Sequence, residues 1–381
     1  MRAEAIMGML SDEVLDFLSA TTRVDYKVHK LTGAVLFKLL VYSLITQREA
    51  SLRVLERVFN SYRFKQSAGL APQAHTRYNS IRDRLATLPS HYFQQLFKHS
   101  LATYSHLLPQ EQQQRLIRFD STMVAVSSHL LHFGIKAGEK TQKRQVKFTI
   151  GFDGLLPCSA KSFTHKRYTS ENTALAEAIL EASCSPRDWV VFDRGLQNRH
   201  TLCQLDERGL LFVTRLKTDS RFEVIHRARV PRSQPSSVRI VTDQQVYLFD
   251  HRGQVTRPFR LIQALIKKTA APIWFLTNIT TLPAAAIATL YKKRWDIEVF
   301  FRFLKQELNF THLLVRTPNA IESMLYVTLI VSILLQVYGR LNRVRGYKLL
   351  KLQFAQELEE DLIKQVVLLC GGDPAKMYHA P

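Results

Sequence analysis

One short run limits the fold more than any other. Trp189–Phe192, in the segment DWVVFDRG, is apolar without alternation. A strand with one solvated face alternates polar and apolar residues. An unbroken apolar run is buried on both faces, as in a central parallel strand. A parallel neighbour requires a crossover, usually helical and right-handed. The flanking segments supply both parts. RLIRFDSTMVAVSS (from Arg115) and QVKFTIGFDGLLPCSAKSF (from Gln145) read as strands joined by the basic loop GIKAGEKTQKRQ. ENTALAEAILEAS reads as a helix with Ser170 as N-cap. NRHTLCQLDERG is a second helix ending at Gly209, and LLFVTRLK a further strand. The order β-β-β-α-β-α-β predicts an α/β core on a mixed five-stranded sheet.

The rest of the chain has other textures. Residues 1–110 read as successive helices, among them AVLFKLLVYSLITQ and SLRVLERVFNSYRF, with apolar residues at three- and four-residue spacing. Such short basic helices (Arg77, Arg82, Arg84) suit either a helix-turn-helix unit or a plain bundle. Residues 216–282 carry short strand-like pieces with turn signals (PRSQPSS, HRGQ), a β-rich insertion. The helical pattern resumes with YKKRWDIEVFFRFLKQEL, from Tyr291. The predicted layout is therefore a helical domain at 1–110, a core at 111–215 and 283–340, the insertion at 216–282, and a helical tail at 341–381. The most apolar run, MLYVTLIVSILLQVY from Met324, falls short of the ~20 residues a bilayer span needs and predicts a buried core helix.

Charge narrows the partner. The chain of 381 residues holds 53 Lys and Arg against 32 Asp and Glu, a net +21. The excess is spread through folded-looking segments, with no polybasic tail, and predicts a polyanion partner such as nucleic acid. Four scattered cysteines, with no C-x-x-C pair, give neither a disulfide framework nor a zinc ribbon. The opening MRAEAIMGMLSDEV is too polar for a signal peptide, so a cytoplasmic protein is expected. No GxxxxGK[ST] or GxGxxG motif supports a nucleotide cofactor.

Two carboxylates stand where strands should be buried. Asp120 follows LIRF, and Asp193 follows WVVF. Taken singly, each could be a turn former or cap. An acid inside or just after a buried strand must be paired, hydrogen-bonded or metal-bound, and ligands of open α/β sheets gather at the carboxyl ends of strands. A third acid, Glu298, sits in the helix from Tyr291, where Tyr291, Arg294, Glu298, Arg302 and Lys305 fall within an arc of roughly 80°. Ile297, Phe300, Phe301, Leu304 and Leu308 cover much of its remaining surface. Three converging acids repel unless a divalent cation holds them, and hard oxygen donors suit Mg²⁺ or Mn²⁺. Two such ions can serve an in-line phosphoryl transfer. Asp153 reads as a hairpin-turn residue, Asp188 as a strand start and Asp296 as helix surface. His165 and His200 read as surface or core histidines, and Trp295 as core.

Tyr291, Arg294, Glu298 and Lys305 match a Y-x2-R-x3-E-x6-K pattern, with FDST around Asp120 and FDRG around Asp193 upstream. In this the chain resembles the DDE transposases of bacterial insertion sequences, specifically the insertion sequence four family, from about residue 115 to 335. One departure is Leu196, where the second block of the family often has an aromatic residue. The resemblance implies an RNase H-like core with a β-rich insertion between the second Asp and the Glu. It implies that Asp120, Asp193 and Glu298 ligate the metal ions. Arg294 and Lys305 would grip phosphates beside the scissile bond rather than pair with Glu298, and Tyr291 would contact the terminal nucleotide. Arg302 shares that face outside the pattern, as an extra phosphate contact. Trp274, in PIWFLTN, resembles an aromatic that stacks on a flipped base during hairpin formation; an interior strand tryptophan is the alternative.

The function expected from this resemblance is a DNA transposase. It would bind the inverted-repeat ends of its element and cut and rejoin strands with two Mg²⁺ or Mn²⁺ ions, as a homodimer on double-stranded DNA. A nuclease of the same fold that cuts without transposing, or a catalytically silent DNA-binding derivative, are the alternatives.

Overall fold

The computed structural model describes residues 1–108, 115–126, 134–136, 144–230, 238–250, 253–254 and 257–378. Most of the basic loop in GIKAGEKTQKRQ and all of PRSQPSS lie outside them. The chain divides into two compact units, Met1–Gln110 with Arg302–Pro381, and Glu111–Phe301. The first begins with seven helices: α1 (Ala3–Gly8), α2 (Asp12–Thr22), α3 (Gly33–Thr46), α4 (Leu52–Asn60), α5 (Tyr62–Ser67), α6 (Tyr78–Thr87) and α7 (Ser90–Ser105). Thr32, Ser51 and Ser61 cap α3, α4 and α5 by accepting a backbone N–H with their hydroxyls.

The second unit is built on one sheet. Its strands are β1 (Leu116–Val126), β2 (Ile135–Lys136), β3 (Arg144–Phe152), β4 (Pro157–Phe163), β5 (Trp189–Phe192), β6 (Leu211–Leu216), β7 (Phe222–Ala228), β8 (Val238–Asp250), β9 (Gly253–Gln254), β10 (Phe259–Ile266) and β11 (Pro272–Thr277). They lie in the order β2-β3-β1-β5-β6-β11-β10-β8-β7, with β4 beside β3 and β9 beside β8. β1, β3 and β4 are antiparallel, whereas β1, β5 and β6 run parallel. The Trp189–Phe192 run is thus a central parallel strand, as its lack of alternation predicts. The sheet as a whole is larger than the five strands expected. Strands of the insertion do not form a sheet of their own: β11 pairs antiparallel with β6, Trp274 opposite Leu216, and β10, β8 and β7 follow outward. The open edge of β6 is covered in this way, and an exposed edge strand is what sheets avoid.

Helices α8 (Glu171–Glu181) and α9 (Arg199–Glu207) are the crossovers to β5 and β6. The Ser170 hydroxyl caps α8 by accepting the Asn172 N–H, as expected. Leu175 and Ile179 of α8 and Leu202 and Leu205 of α9 pack on Ile117, Phe119, Val190, Phe192 and Phe212. The opposite face carries Val191, Val213, Ile262 and Phe275 under Ile287 and Tyr291 of α10 (Ala284–Lys292). Helix α11 (Trp295–Glu307) begins in this unit, and its residues from Arg302 onward group with the helical one.

The chain closes with α12 (Pro318–Asn342) and α13 (Tyr347–Leu369). Thr317 caps α12 and Pro318 opens it, where a missing N–H costs nothing. α12 is the one described helix long and apolar enough to cross a membrane, yet 94% of that apolar window is buried inside the protein. Phe97 of α7 packs on Tyr326, and a Cβ on Gly339 would lie 2.4 Å from Leu350 of α13. The helix is the buried core of its unit, as predicted, although it is longer than the run from Met324 on which that prediction rests.

Candidate functional site

Register brings the first two acids together. Phe119 of β1 lies opposite Phe192 of β5, so the next residue on each strand path, Asp120 inside β1 and Asp193 just past the carboxyl end of β5, are neighbours where the shorter strand stops. Because side chains alternate, Phe119 and Phe192 point toward α8 and α9 while both acids face the α10–α11 side. Three contacts complete the group from that side. The Tyr291 hydroxyl donates to Asp193 Oδ1 at 3.1 Å. Arg294 Nη2 donates to Glu298 Oε1 at 2.5 Å, and its Nη1 reaches Asp120 Oδ2 at 3.4 Å. The Ser121 N–H donates to the other Asp120 oxygen at 2.8 Å. Asp120, Asp193, Glu298, Tyr291 and Arg294, singled out in the sequence, thus lie on one sheet face, beside the point where β5 ends.

Burial pushes the Asp120 carboxyl up to about 6, with Asp193 and Glu171 adding to the rise against the Ser121 amide and Arg294. Tyr291 is pushed up to about 12 by burial and by Asp193. These directions describe an acid cluster short of positive charge, relieved by one guanidinium.

The helix that carries Glu298 differs from expectation. It is broken: α10 ends at Lys292 and α11 begins at Trp295. Across the break the backbone tightens to three-residue hydrogen bonds, Arg294 N–H to Tyr291 O and Ile297 N–H to Arg294 O. No Gly or Pro causes this. Arg118, buried in β1, donates to the Lys293 carbonyl at 3.1 Å, which also accepts the Asp296 N–H at 3.2 Å, and to Asp296 Oδ2 at 3.0 Å, and its Nη1 donates to Leu116 O and Asp153 O. The same break turns Trp295 outward to 55% exposure, against the expectation that it is core. Phe300 anchors the start of α11 by stacking on Phe152 of β3, centroids 4.5 Å apart.

A second correction concerns Arg294. It was expected to leave Glu298 free for metal and hold DNA; here its guanidinium bridges Glu298 and Asp120, two part-buried acids whose charges it offsets. Among the described residues no three His, Cys, Asp or Glu side chains are gathered tightly enough to hold a metal as they stand. Their chemistry nonetheless fits one. The donors are hard carboxylate oxygens, and a positive charge already occupies the position between two of them.

The remaining expected residues fall elsewhere. Trp274 packs with the α8–α9 face, edge-on to Phe222 at 5.8 Å, so the sheet separates it from the acids. Arg302 and Lys305 lie on the part of α11 that groups with the helical unit. Asp153 accepts the Leu155 and Leu156 amides in the β3–β4 turn, and Asp188 pairs with Arg115 at the start of β5. His165 accepts the Arg167 amide, and His200 is exposed in α9. Missed in the sequence were Arg118, Lys147 and Glu171. The signal available for the first two was a basic residue flanked by apolar ones inside a strand, in LIRF and VKF; for Glu171 there was none.

The Transposase DDE domain model matches residues 111–334. The chain belongs to that transposase family. Similar relatives agree. A Sinorhizobium fredii protein named as a transposase, y4zB, is 32% identical over 155 residues, 40% of this chain and 43% of the relative. A Geobacillus stearothermophilus transposase named for insertion sequence element IS5377 is 28% identical over 57% of this chain and 55% of its own. One from Synechocystis, named for element IS4SA, is 25% identical over 57% and 58%. This transposase-family chain spans about half the length of the curated relatives it matches. Among solved structures, the piggyBac transposase synaptic complex with hairpin DNA covers 96% of this chain and 82% of its own, at TM-score 0.51 and 11% identity. That likeness is one of fold: the DDE domain here sits on the same kind of mixed α/β scaffold.

Proposed function

We propose that the protein is a DNA transposase that binds the inverted-repeat ends of an insertion sequence and carries out metal-dependent strand cleavage and strand transfer. The observation that carries this is the meeting of Asp120 and Glu298 through Arg294, and of Asp193 with Tyr291, on one sheet face beside the end of β5. Asp120, Asp193 and Glu298 would hold one or two Mg²⁺ or Mn²⁺ ions, which when bound activate water or a 3′-hydroxyl and neutralise the leaving oxygen. Arg294 then has a phosphate to hold in place of two carboxylates; a guanidinium suits either. Tyr291, released from Asp193, would contact the terminal nucleotide. Lys305 and Arg302, further along α11, would hold the backbone outside the cut. Residues 1–110 would bind the element end, and two chains would hold two ends. The net charge of +21 supports a DNA partner.

The test uses the full chain, Mg²⁺ and a duplex carrying the inverted repeats that flank its gene. The chain should nick the duplex at the repeat end and yield products joined to target DNA. Glu298→Gln should lose roughly 10²- to 10³-fold in nicking while binding the duplex as before. Nicking at the ordinary rate by that variant would remove Glu298 from the site, and nicking without joined products would make the enzyme a nuclease.

A further inference from the structure

Beside the acids lies a second buried charge network that their expected chemistry leaves unused. Lys147, in the middle of β3, is 2% exposed. Its ammonium donates to Thr169 O and to Glu171 Oε1, each at 2.8 Å. Glu171 is the first residue of α8, and its other oxygen accepts the Ser121 hydroxyl at 2.9 Å. Ser121 also meets the Thr149 hydroxyl at 2.8 Å, while its backbone N–H donates to Asp120. A leucine at 147 would fill the same space without desolvating an ammonium, so the ion pair is poorly explained by packing.

The same turn of α8 also holds the second acid's loop. A Cβ on Gly195, two residues past Asp193, would lie 2.8 Å from Glu171 Cβ and Cγ, so the loop passes directly against that side chain. The next residue, Asn172, accepts the Gln197 and Asn198 amides at 2.5 and 2.9 Å. Glu171 therefore touches both acid-bearing segments at once, and Lys147 fixes it from below.

We propose that Glu171 is a positioning residue for the acid pair, acting through Ser121 on Asp120 and through the Gly195 loop on Asp193 to set the spacing of their carboxylates. The inference rests on reading that pair as metal-binding. Outer partners of this kind typically change metal affinity 10- to 100-fold when removed.

The test is Mn²⁺ binding to the full chain, followed by electron paramagnetic resonance, with Asp120→Asn as the reference that empties the site. In folded Glu171→Ala the Mn²⁺ concentration for half-saturation should rise roughly tenfold, beside the lower melting temperature expected when the buried Lys147 ammonium loses its carboxylate. Glu171→Gln, which keeps an acceptor for Ser121, should lose less. Ser121→Ala leaves the Lys147–Glu171 pair intact and should weaken Mn²⁺ severalfold; it serves equally if Glu171→Ala does not fold. Wild-type Mn²⁺ affinity in folded Glu171→Ala, or in Ser121→Ala if the former does not fold, overturns the proposal and leaves the acid site standing. No Asp120-dependent Mn²⁺ site in the wild-type chain overturns the metal reading itself, and this proposal with it.

Discussion

The two halves of the sheet each bury an arginine against carboxylates, and they do so differently. In the insertion, Arg260 of β10 meets Asp243 of β8 through two bonds, Nε to Oδ1 at 2.8 Å and Nη2 to Oδ2 at 2.6 Å. Its Nη1 goes to the carbonyls of Ile279 and Leu282. In the core half, Arg294 divides itself between two acids, with one contact stretched to 3.4 Å, and its buried Nε has no hydrogen-bond partner. A fully satisfied bidentate pair is what a structural arginine looks like. An arginine with a stretched contact and an orphaned donor is held less tightly, and that suits a group whose partner changes during function.

The largest effect should come from breaking the satisfied pair. Arg260→Ala leaves Asp243, 8% exposed, without its cation, and a stranded buried charge costs about 3–5 kcal/mol. All three tryptophans, Trp189, Trp274 and Trp295, lie in the sheet unit, so their fluorescence in urea reports on it. Replacing both partners, Arg260→Met with Asp243→Leu, should restore most of the loss. A loss below 1 kcal/mol in the single variant would erase the distinction between the two arginines.

How much of this was legible in sequence follows from range. The Trp189–Phe192 run announced a central parallel strand and Ser170 a helix start, because each is a local pattern of burial or capping; Asp120, Asp193 and Glu298 stood out only as acids at unusual positions, their placement being a matter of tertiary register. The continuation of the sheet through β11 was not legible, since the pairing of Trp274 with Leu216 is a matter of tertiary register. Nor was the break after Lys292. The helical period runs through it unbroken, and the side chain that meets it, Arg118, bonds a carbonyl 175 residues away. Glu171 escaped notice because an acid in a first helical turn is ordinary; only its contacts with Lys147 and Ser121 make it otherwise.

A middle-sized effect should come from Asp120. Burial raises its carboxyl from an ordinary 3.8 to about 6. Between those values the folded chain keeps a proton that the unfolded chain has lost. The site therefore favours folding most below pH ~4, and this advantage drains away as pH rises through 6. With its partial exposure allowed for, the loss is on the order of 2 kcal/mol. Asp120→Asn cannot ionise, so without divalent metal it should be more stable than the wild type at pH 8 by about that amount, and nearly equal at pH 4. Parallel stability curves across this range would show that Asp120 is not strained by burial.

The smallest effect should come from Arg294→Ala, and it is the sharpest test of the comparison. Its removal leaves Asp120 and Glu298 facing each other, but their side chains are 25% and 31% exposed, so water reaches both. The contact given up is one short bond and one stretched one. A stability cost of about 1 kcal/mol in urea is expected, several times less than for Arg260→Ala. Mn²⁺ sharpens the contrast. The guanidinium competes with a divalent ion for the same oxygens, so the ion should stabilise Arg294→Ala more than the wild type and do nothing for Arg260→Ala. If Arg294→Ala instead loses as much stability as Arg260→Ala and gains nothing from Mn²⁺, both arginines are fold residues, and the bridge between Asp120 and Glu298 holds the fold together rather than holding a place for a metal.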